Sequence, residues 1–216
     1  MEPAFWQERW ANGQIGFHEG RPNTLLVEHA GVLDGFSRLY VPLCGKAVDL
    51  VYLRERGHHV TGTELVGEAI TQLFSELGEA PMTASVAPYT KHEGRDLVVL
   101  EGDAFALTPD HTGGHFDGAY DRAAFVAIDP KMRRAYADTM ARVVRRGGVV
   151  LMVTFDYPQE KVSGPPWSVP KGEVEATFGH DFDVTLLAER AQPGTPKQVA
   201  AGIHEVHERA HVLRRR

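Results

Sequence analysis

Cysteine occurs once, at Cys44, among the 216 residues of the chain, so no intramolecular disulfide can form and an oxidising compartment is not indicated. Basic residues are outnumbered, 23 Lys and Arg against 29 Asp and Glu, which gives a net charge of -6 with histidine neutral. Proteins that grip the phosphate backbone concentrate Lys and Arg, so the expected partner is a small molecule and not nucleic acid. No apolar run reaches the length that spans a bilayer, and Met1 to Glu8 carry neither a basic stretch nor an apolar one. These absences describe a protein expected in the cytoplasm, off the membrane, with a monomer as the default. Also absent is Gly-x-Gly-x-x-Gly, which takes away the usual cradle for a dinucleotide's diphosphate.

What the sequence does contain is an alternation. Residues 39–43 form a short apolar run closed by Cys44-Gly45-Lys46, after which Ala47, Leu50, Val51 and Leu53 recur at helical spacing up to Gly57. Residues 59–63 repeat the pattern, ending in Glu64 and followed by Ala69, Ile70, Leu73, Phe74 and Leu77 before Gly78. Further strands are read at 97–100, closing near Asp103, at 116–120, closing on Asp121 and Arg122, and, after a helix around 131–145, at 147–155. Strands that alternate with helices imply right-handed crossovers and a parallel sheet with helices on both faces. Two last strands, 182–187 and 203–213, would add an antiparallel hairpin at one edge. The expected class is therefore α/β, a doubly wound, mostly parallel seven-stranded sheet with helices on both faces and an antiparallel C-terminal hairpin. With 43% of residues hydrophobic, the length suffices for one substantial core and not two, so residues 1–216 read as a single domain. The stiff, proline-rich stretch within 160–172, with Pro165, Pro166 and Trp167, reads as a wall over a site.

In a doubly wound sheet the ligand sits at the carboxyl ends of the strands, where connections diverge to opposite faces. That rule picks out the Leu43-Cys44-Gly45-Lys46 turn, Glu64, Asp103 and the Asp121-Arg122 pair. Gly45 can take a positive φ and lets a ligand approach the backbone. Glu64 follows it by 19 residues, close to the spacing of about 20 at which an acid reaches a ribose hydroxyl pair; the plainer alternative is a first-turn acid favoured by the helix dipole. Asp103 can accept from an adenine amine beside Ala104 and Phe105, or can simply cap the next turn. An Arg at a strand end is costly to bury unless paired or bound to an anion, so Arg122 is a ligand residue or the partner of Asp121. A glycine turn, a ribose carboxylate and an adenine-side acid suit a nucleoside cofactor without diphosphate, S-adenosylmethionine before NAD.

The same residues carry a family resemblance. Trp6-Gln7-Glu8-Arg9-Trp10-Ala11-Asn12-Gly13 with Gly16-Phe17-His18, then Val41-Pro42-Leu43-Cys44-Gly45-Lys46-Ala47-Val48-Asp49, resemble the opening of the thiopurine S-methyltransferase family, in its bacterial form. Gly62-Thr63-Glu64, Asp121-Arg122-Ala123-Ala124, Tyr136 to Met140 and Gly164-Pro165-Pro166-Trp167-Ser168-Val169-Pro170 agree in order, so the likeness runs from about Phe5 to the end. It implies a class I, Rossmann-like methyltransferase fold that uses S-adenosyl-L-methionine and releases S-adenosyl-L-homocysteine. The cofactor is then expected to touch the 6–17 segment with Trp10, the Leu43 turn, Glu64, Asp103 with Ala104, and Arg122. The chain departs from the mammalian form by a shorter N-terminus and by Lys197 where that form has an arginine facing substrate, so Lys197 enters as a substrate residue.

Trp6 and Trp10 lie four apart, so a helix presents both on one face. That stripe is either a docking face or part of a lid within residues 1–30, with Trp10 offering a π face to a sulfonium and Phe17 lining an acceptor pocket with Pro165, Pro166 and Trp167. Cys44 reads as a small packed hydrophobe. His207 and His211 share one face of a strand while His204 takes the other, so no metal site is expected, and His18 and His180 read as surface or loop histidines. The acceptor implied is an aromatic or heterocyclic thiol such as a thiopurine, methylated by alignment, desolvation and a cation, Arg122, with Asp121 able to take a proton through water. Two alternatives stand beside it: selenium or tellurium species, halides or small thiols as acceptors on the same fold, and a non-catalytic protein that only binds S-adenosylmethionine.

Overall fold

The computed structural model describes residues 3–16 and 18–216. Helix α1 (Pro3–Ala11) and helix α2 (Thr24–His29) precede strand β1 (Arg38–Val41). The alternation then runs through α3 (Val48–Glu55), β2 (His59–Glu64) and α4 (Gly67–Glu76) to a hairpin of β3 (Met82–Val86) and β4 (Tyr89–Gly94). It continues with β5 (Leu97–Glu101), a short α5 (Pro109–Thr112), β6 (Phe116–Arg122), α6 (Arg133–Val143) and β7 (Val144–Asp156). The chain closes with α7 (Glu173–Phe178), β8 (Phe182–Pro193), α8 (Pro196–Ala200) and β9 (Glu205–Arg215).

One sheet takes all nine of the described strands in the order β3-β4-β5-β2-β1-β6-β7-β9-β8. The five central strands pair parallel, β5 with β2, β2 with β1, β1 with β6 and β6 with β7. The two C-terminal strands pair antiparallel at one edge, β9 lying between β7 and β8. The seven expected strands are thus present, and the sheet has two more, β3 and β4, antiparallel beside β5. Their sequence hides them: β3 is exposed along most of its length and β4 reads Tyr89-Thr90-Lys91-His92-Glu93-Gly94, so neither offers an apolar run.

Alternating side chains on the buried strands feed two cores, as the twofold strand period requires. Along β7, Val149, Leu151 and Val153 join Leu25, Leu26, Leu50 and Leu53 on one face, while Val150 and Met152 join Phe125, Tyr136, Met140 and Phe178 on the other. Helix α6 presents Tyr136, Ala137, Met140 and Val143 to that second core at helical spacing. No described helix is long and apolar enough to cross a membrane.

Candidate functional site

Strands β1 and β6 are neighbours, yet the chain leaves β1 toward β2 on one side and β6 toward β7 on the other. Such a divergence opens a crevice at the strands' carboxyl ends, and a cavity of about 990 Å³ lies there. The turns after both strands are left-handed: φ is +48° at Leu43, +51° at Gly45 and +66° at Ala123. For Leu43 and Ala123 this conformation costs on the order of 1–3 kcal/mol each, so the surrounding packing holds two strained turns at the mouth of the crevice.

Gly45 is there for space as well as for φ. A Cβ on it would come 3.1 Å from the Trp10 ring and 4.0 Å from Glu64 Oε2. Its amide donates to Glu64 Oε2 at 2.8 Å, and the Leu65 and Val66 amides donate to Glu64 Oε1 at 2.8 and 2.9 Å. Glu64 is buried, and burial pushes its carboxyl up while the three amide bonds pull it back. Three bonds leave acceptor capacity on Oε2, which faces the cavity wall formed by Gly45 and Trp10. Behind this turn Cys44 is buried, its thiol pushed well up by desolvation. A Cβ on Gly62 would sit 2.5 Å from Cys44 Sγ, so Gly62 is the residue that lets Cys44 pack.

Trp10 is 5% exposed and packs with Val66, the residue before α4, and with Ala69 of α4, and Trp6 and Ile15 lie against the same cluster. Both tryptophans also line the cavity, so the stripe both docks α1 on α4 and walls the site. At the opposite wall Asp103 Oδ1 accepts from the Phe105 amide at 3.0 Å, the cap geometry, and Asp103 and Ala104 line the cavity. The unexpected hairpin supports this turn, since Tyr89 of β4 donates its hydroxyl to the Asp103 carbonyl at 2.8 Å.

Asp121 and Arg122 part company. Successive strand residues point to opposite faces, and Asp121 points into the core, where it is fully buried and accepts from the Phe125 amide at 3.0 Å and the Tyr136 hydroxyl at 2.7 Å. Burial pushes its carboxyl up to about 6. Arg122 and Ala123 line the cavity and Asp121 does not, so the expected proton acceptor is turned away from it. Arg122 forms an ion pair with Glu19, on the segment after α1.

At the far end the cavity is lined by Phe155, Tyr157, Val162, Pro165 and Pro166, with Lys197 and Gln198 of α8 at the rim. Lys197 Nζ donates to the Ser163 carbonyl at 3.0 Å. Trp167 is not in this lining: its ring packs on Gly164 and its amide donates to Val126 O at 2.6 Å, so it anchors the loop instead of touching the cavity. Phe17 lies outside the described residues. His18, read as a surface or loop histidine, lies in a loop where it lines the cavity half-buried, and burial lowers its pKa, with Lys46 adding to the shift; His180 is exposed.

Sequence reasoning missed a polar cluster beside Arg122. Asn23 caps α2 through Oδ1, donates its backbone N–H to Asp49 Oδ1 at 2.7 Å and turns Nδ2 toward Glu208 Oε1 at 3.5 Å. Tyr120 donates its hydroxyl to Asp49 Oδ2 at 3.2 Å. The cap was readable, an Asn before the apolar Leu25-Leu26. Glu208 carries no local signal, because its place is set by the pairing of β9.

The sequence model of one family, Thiopurine S-methyltransferase (TPMT), matches residues 1–216. A thiopurine S-methyltransferase of Shewanella sp. (strain ANA-3) is 40% identical over 220 residues, covering 100% of both chains. One of Methylococcus capsulatus is 39% identical over 99% of this chain and 98% of its own. Among solved structures, the Burkholderia thailandensis 1,6-didemethyltoxoflavin-N1-methyltransferase with bound 1,6-didemethyltoxoflavin and S-adenosylhomocysteine superposes with a TM-score of 0.66 at 16% identity, covering 99% of this chain and 86% of its own. The N-methyltransferase NodS from Bradyrhizobium japonicum WM9 gives 0.65 at 11% identity over 97% of each chain.

Proposed function

The chain belongs to the thiopurine S-methyltransferase family, and from that premise we propose how its crevice transfers a methyl group to a soft sulfur acceptor. It is an S-adenosylmethionine-dependent methyltransferase that acts on a small molecule, with thiopurine-like thiols as the acceptor class. S-adenosylmethionine supplies, when bound, an activated methyl on a positively charged sulfur.

The residues present fit that group. Glu64, already oriented by three backbone amides, accepts from the ribose hydroxyls; Asp103 and Ala104 receive the base; Leu43 and Gly45 lie along the cofactor with no side chain at Gly45 to obstruct it; Trp10 offers its ring to the cation. What supports this assignment above all is the Gly45–Glu64–Trp10 contact set, a cradle that a single Cβ would fill. Arg122 is the cation that attracts the anionic sulfur and aligns it, an effect that gains from the low dielectric of a closed cavity. Pro165 and Pro166 form the acceptor's apolar wall, with Lys197 a second cation at the rim. Residues 1–30 serve as a lid and 160–172 as the active-site loop of a single domain. The protein acts as a monomer in this reading, and the single cysteine supports a cytoplasmic setting.

The test is calorimetric. Glu64→Ala lowers S-adenosylhomocysteine affinity at least tenfold, because even one hydrogen bond to a charged acceptor is worth about 1.5–3 kcal/mol. Undiminished binding would remove the ribose assignment.

A further inference from the structure

A neutral thiol must lose its proton for methylation to proceed, and the carboxylate expected to receive it, Asp121, is turned into the core. Among the described residues four other carboxylates line the cavity: Glu19, Glu64, Asp103 and Glu208. Glu19 is held in an ion pair with Arg122. Glu64 carries three backbone N–H bonds and Asp103 caps the Phe105 amide at the opposite wall. Glu208 is different, since its contacts are at the edge of range: Asn23 Nδ2 at 3.5 Å and Arg190 Nε at 3.8 Å. The Arg190 guanidinium is itself committed to Glu28, at 3.1 and 3.4 Å.

Its position fits the acceptor end. In β9, Val206 and Glu208 share a face and both line the cavity, and Glu208 sits in register between Phe155 of β7 and Arg190 of β8. Its side chain is 17% exposed, open enough for a ligand and dry enough to matter. We propose that Glu208 is the proton acceptor for the incoming thiol. This rests on the methyltransferase reading above and adds the fate of the proton.

The step balances. The acceptor's S–H bond breaks and its proton passes to a Glu208 carboxylate oxygen. The freed electron pair forms the new S–CH₃ bond, while the methyl's bond to the sulfonium sulfur breaks and leaves its pair on that sulfur, now a neutral thioether. Burial raises the proton affinity of Glu208 toward that of a thiol, opposed by Asn23, Arg190 and Arg122 and aided by Glu19. Arg190 of β8, Arg122 of β6 and Glu19 of the 18–23 segment are the charged groups that act on it, and Asn23 is its neutral hydrogen-bond partner.

Two aromatic thiols of similar size separate the possibilities: para-nitrothiophenol, already ionised near neutral pH, and benzyl mercaptan, which is not. General-base catalysis is worth roughly 10²–10⁴-fold. Glu208→Gln in the full-length protein therefore lowers kcat/KM for benzyl mercaptan relative to para-nitrothiophenol by about 10²-fold, and Glu208→Asp recovers at least a tenth of the ratio. Calorimetric S-adenosylhomocysteine affinity within twofold of wild type marks the effect as one on the proton and not on the fold. If Glu208→Gln does not fold, the wild-type profile carries the test: with benzyl mercaptan the rate falls on acidification through an ionisation far below the thiol's own. A ratio that stays constant, a profile that follows the thiol's own ionisation, or a wild type that methylates only para-nitrothiophenol overturns the proposal alone. A wild type that methylates neither, while binding no S-adenosylhomocysteine, overturns the reading beneath it.

Discussion

Asp121 shows how one side chain's burial becomes a property of the protein. Its carboxyl, ordinarily near 3.8, is pushed up to about 6 by desolvation, which the Phe125 amide and the Tyr136 hydroxyl only partly offset. A raised folded value means that the native state holds the proton more tightly, so stability from this group is full below 3.8 and is lost as pH rises through about 6. The whole effect amounts to about 3 kcal/mol. Asp121→Asn removes the titration. The unfolding free energy of that variant minus that of wild type, from urea melts, is expected to rise by about 2–3 kcal/mol between pH 4 and pH 7; parallel pH profiles would refute the assignment.

Strand β9 carries an effect of opposite sign. His211 is 8% exposed, paired in register with Met152 of β7 and Leu186 of β8. Burial depresses its pKa from 6.5 to about 4, Arg209 adds to the depression and Glu189 opposes it. A depressed base contributes stability that is present above 6.5 and lost as pH falls through about 4. Between pH 4 and 6 the Asp121 and His211 contributions therefore run against each other, and the wild type hides both. His211→Leu unmasks the first: relative to wild type, its urea-derived stability is expected to improve by about 2–3 kcal/mol as pH falls from 7 to 4. The same strand delivers Glu208 to the cavity, and Arg209, on the opposite face, holds Asp156 and Glu189 at 3.1 Å and the Val169 carbonyl at 3.3 Å. One strand next to the sheet edge thus ties the 157–170 loop to the sheet and presents a carboxylate to the site.

The cavity draws its walls from the α1 segment, the turns after β1, β2, β5 and β6, the 162–166 loop and the β8–α8 end. A ligand that bridges so many separate pieces binds the native state and not the unfolded chain, so it must stabilise the fold. At a concentration of about 100 times Kd the gain is about 2.7 kcal/mol, which for a chain of this size raises Tm by about 5–10 °C. Scanning calorimetry with S-adenosylhomocysteine is expected to show that rise in wild type and at most about half of it in Glu64→Ala, where a tenfold weaker Kd leaves about 1.4 kcal/mol. An equal rise in both would place the ligand's ribose elsewhere.

The order of strands and helices, the two-faced core and the Gly45–Glu64 pairing were legible in the residues, because strand and helix periods and the glycine-to-acid spacing are local properties of the chain. So was the position of Arg122 at a strand end. The orientation of Asp121 was legible in principle, since adjacent strand residues face opposite ways, but which face held the cavity depended on the β1–β6 junction. Glu19 against Arg122, Asn23 against Asp49, Trp167 anchored on Gly164 and Glu208 at the cavity wall depended on segments up to 185 residues apart meeting. No sequence period encodes such meetings; they arise when β9 inserts between β7 and β8 and the N-terminal segment folds over the strand ends, because burial of the two cores fixes the register and the register then sets which polar side chains meet.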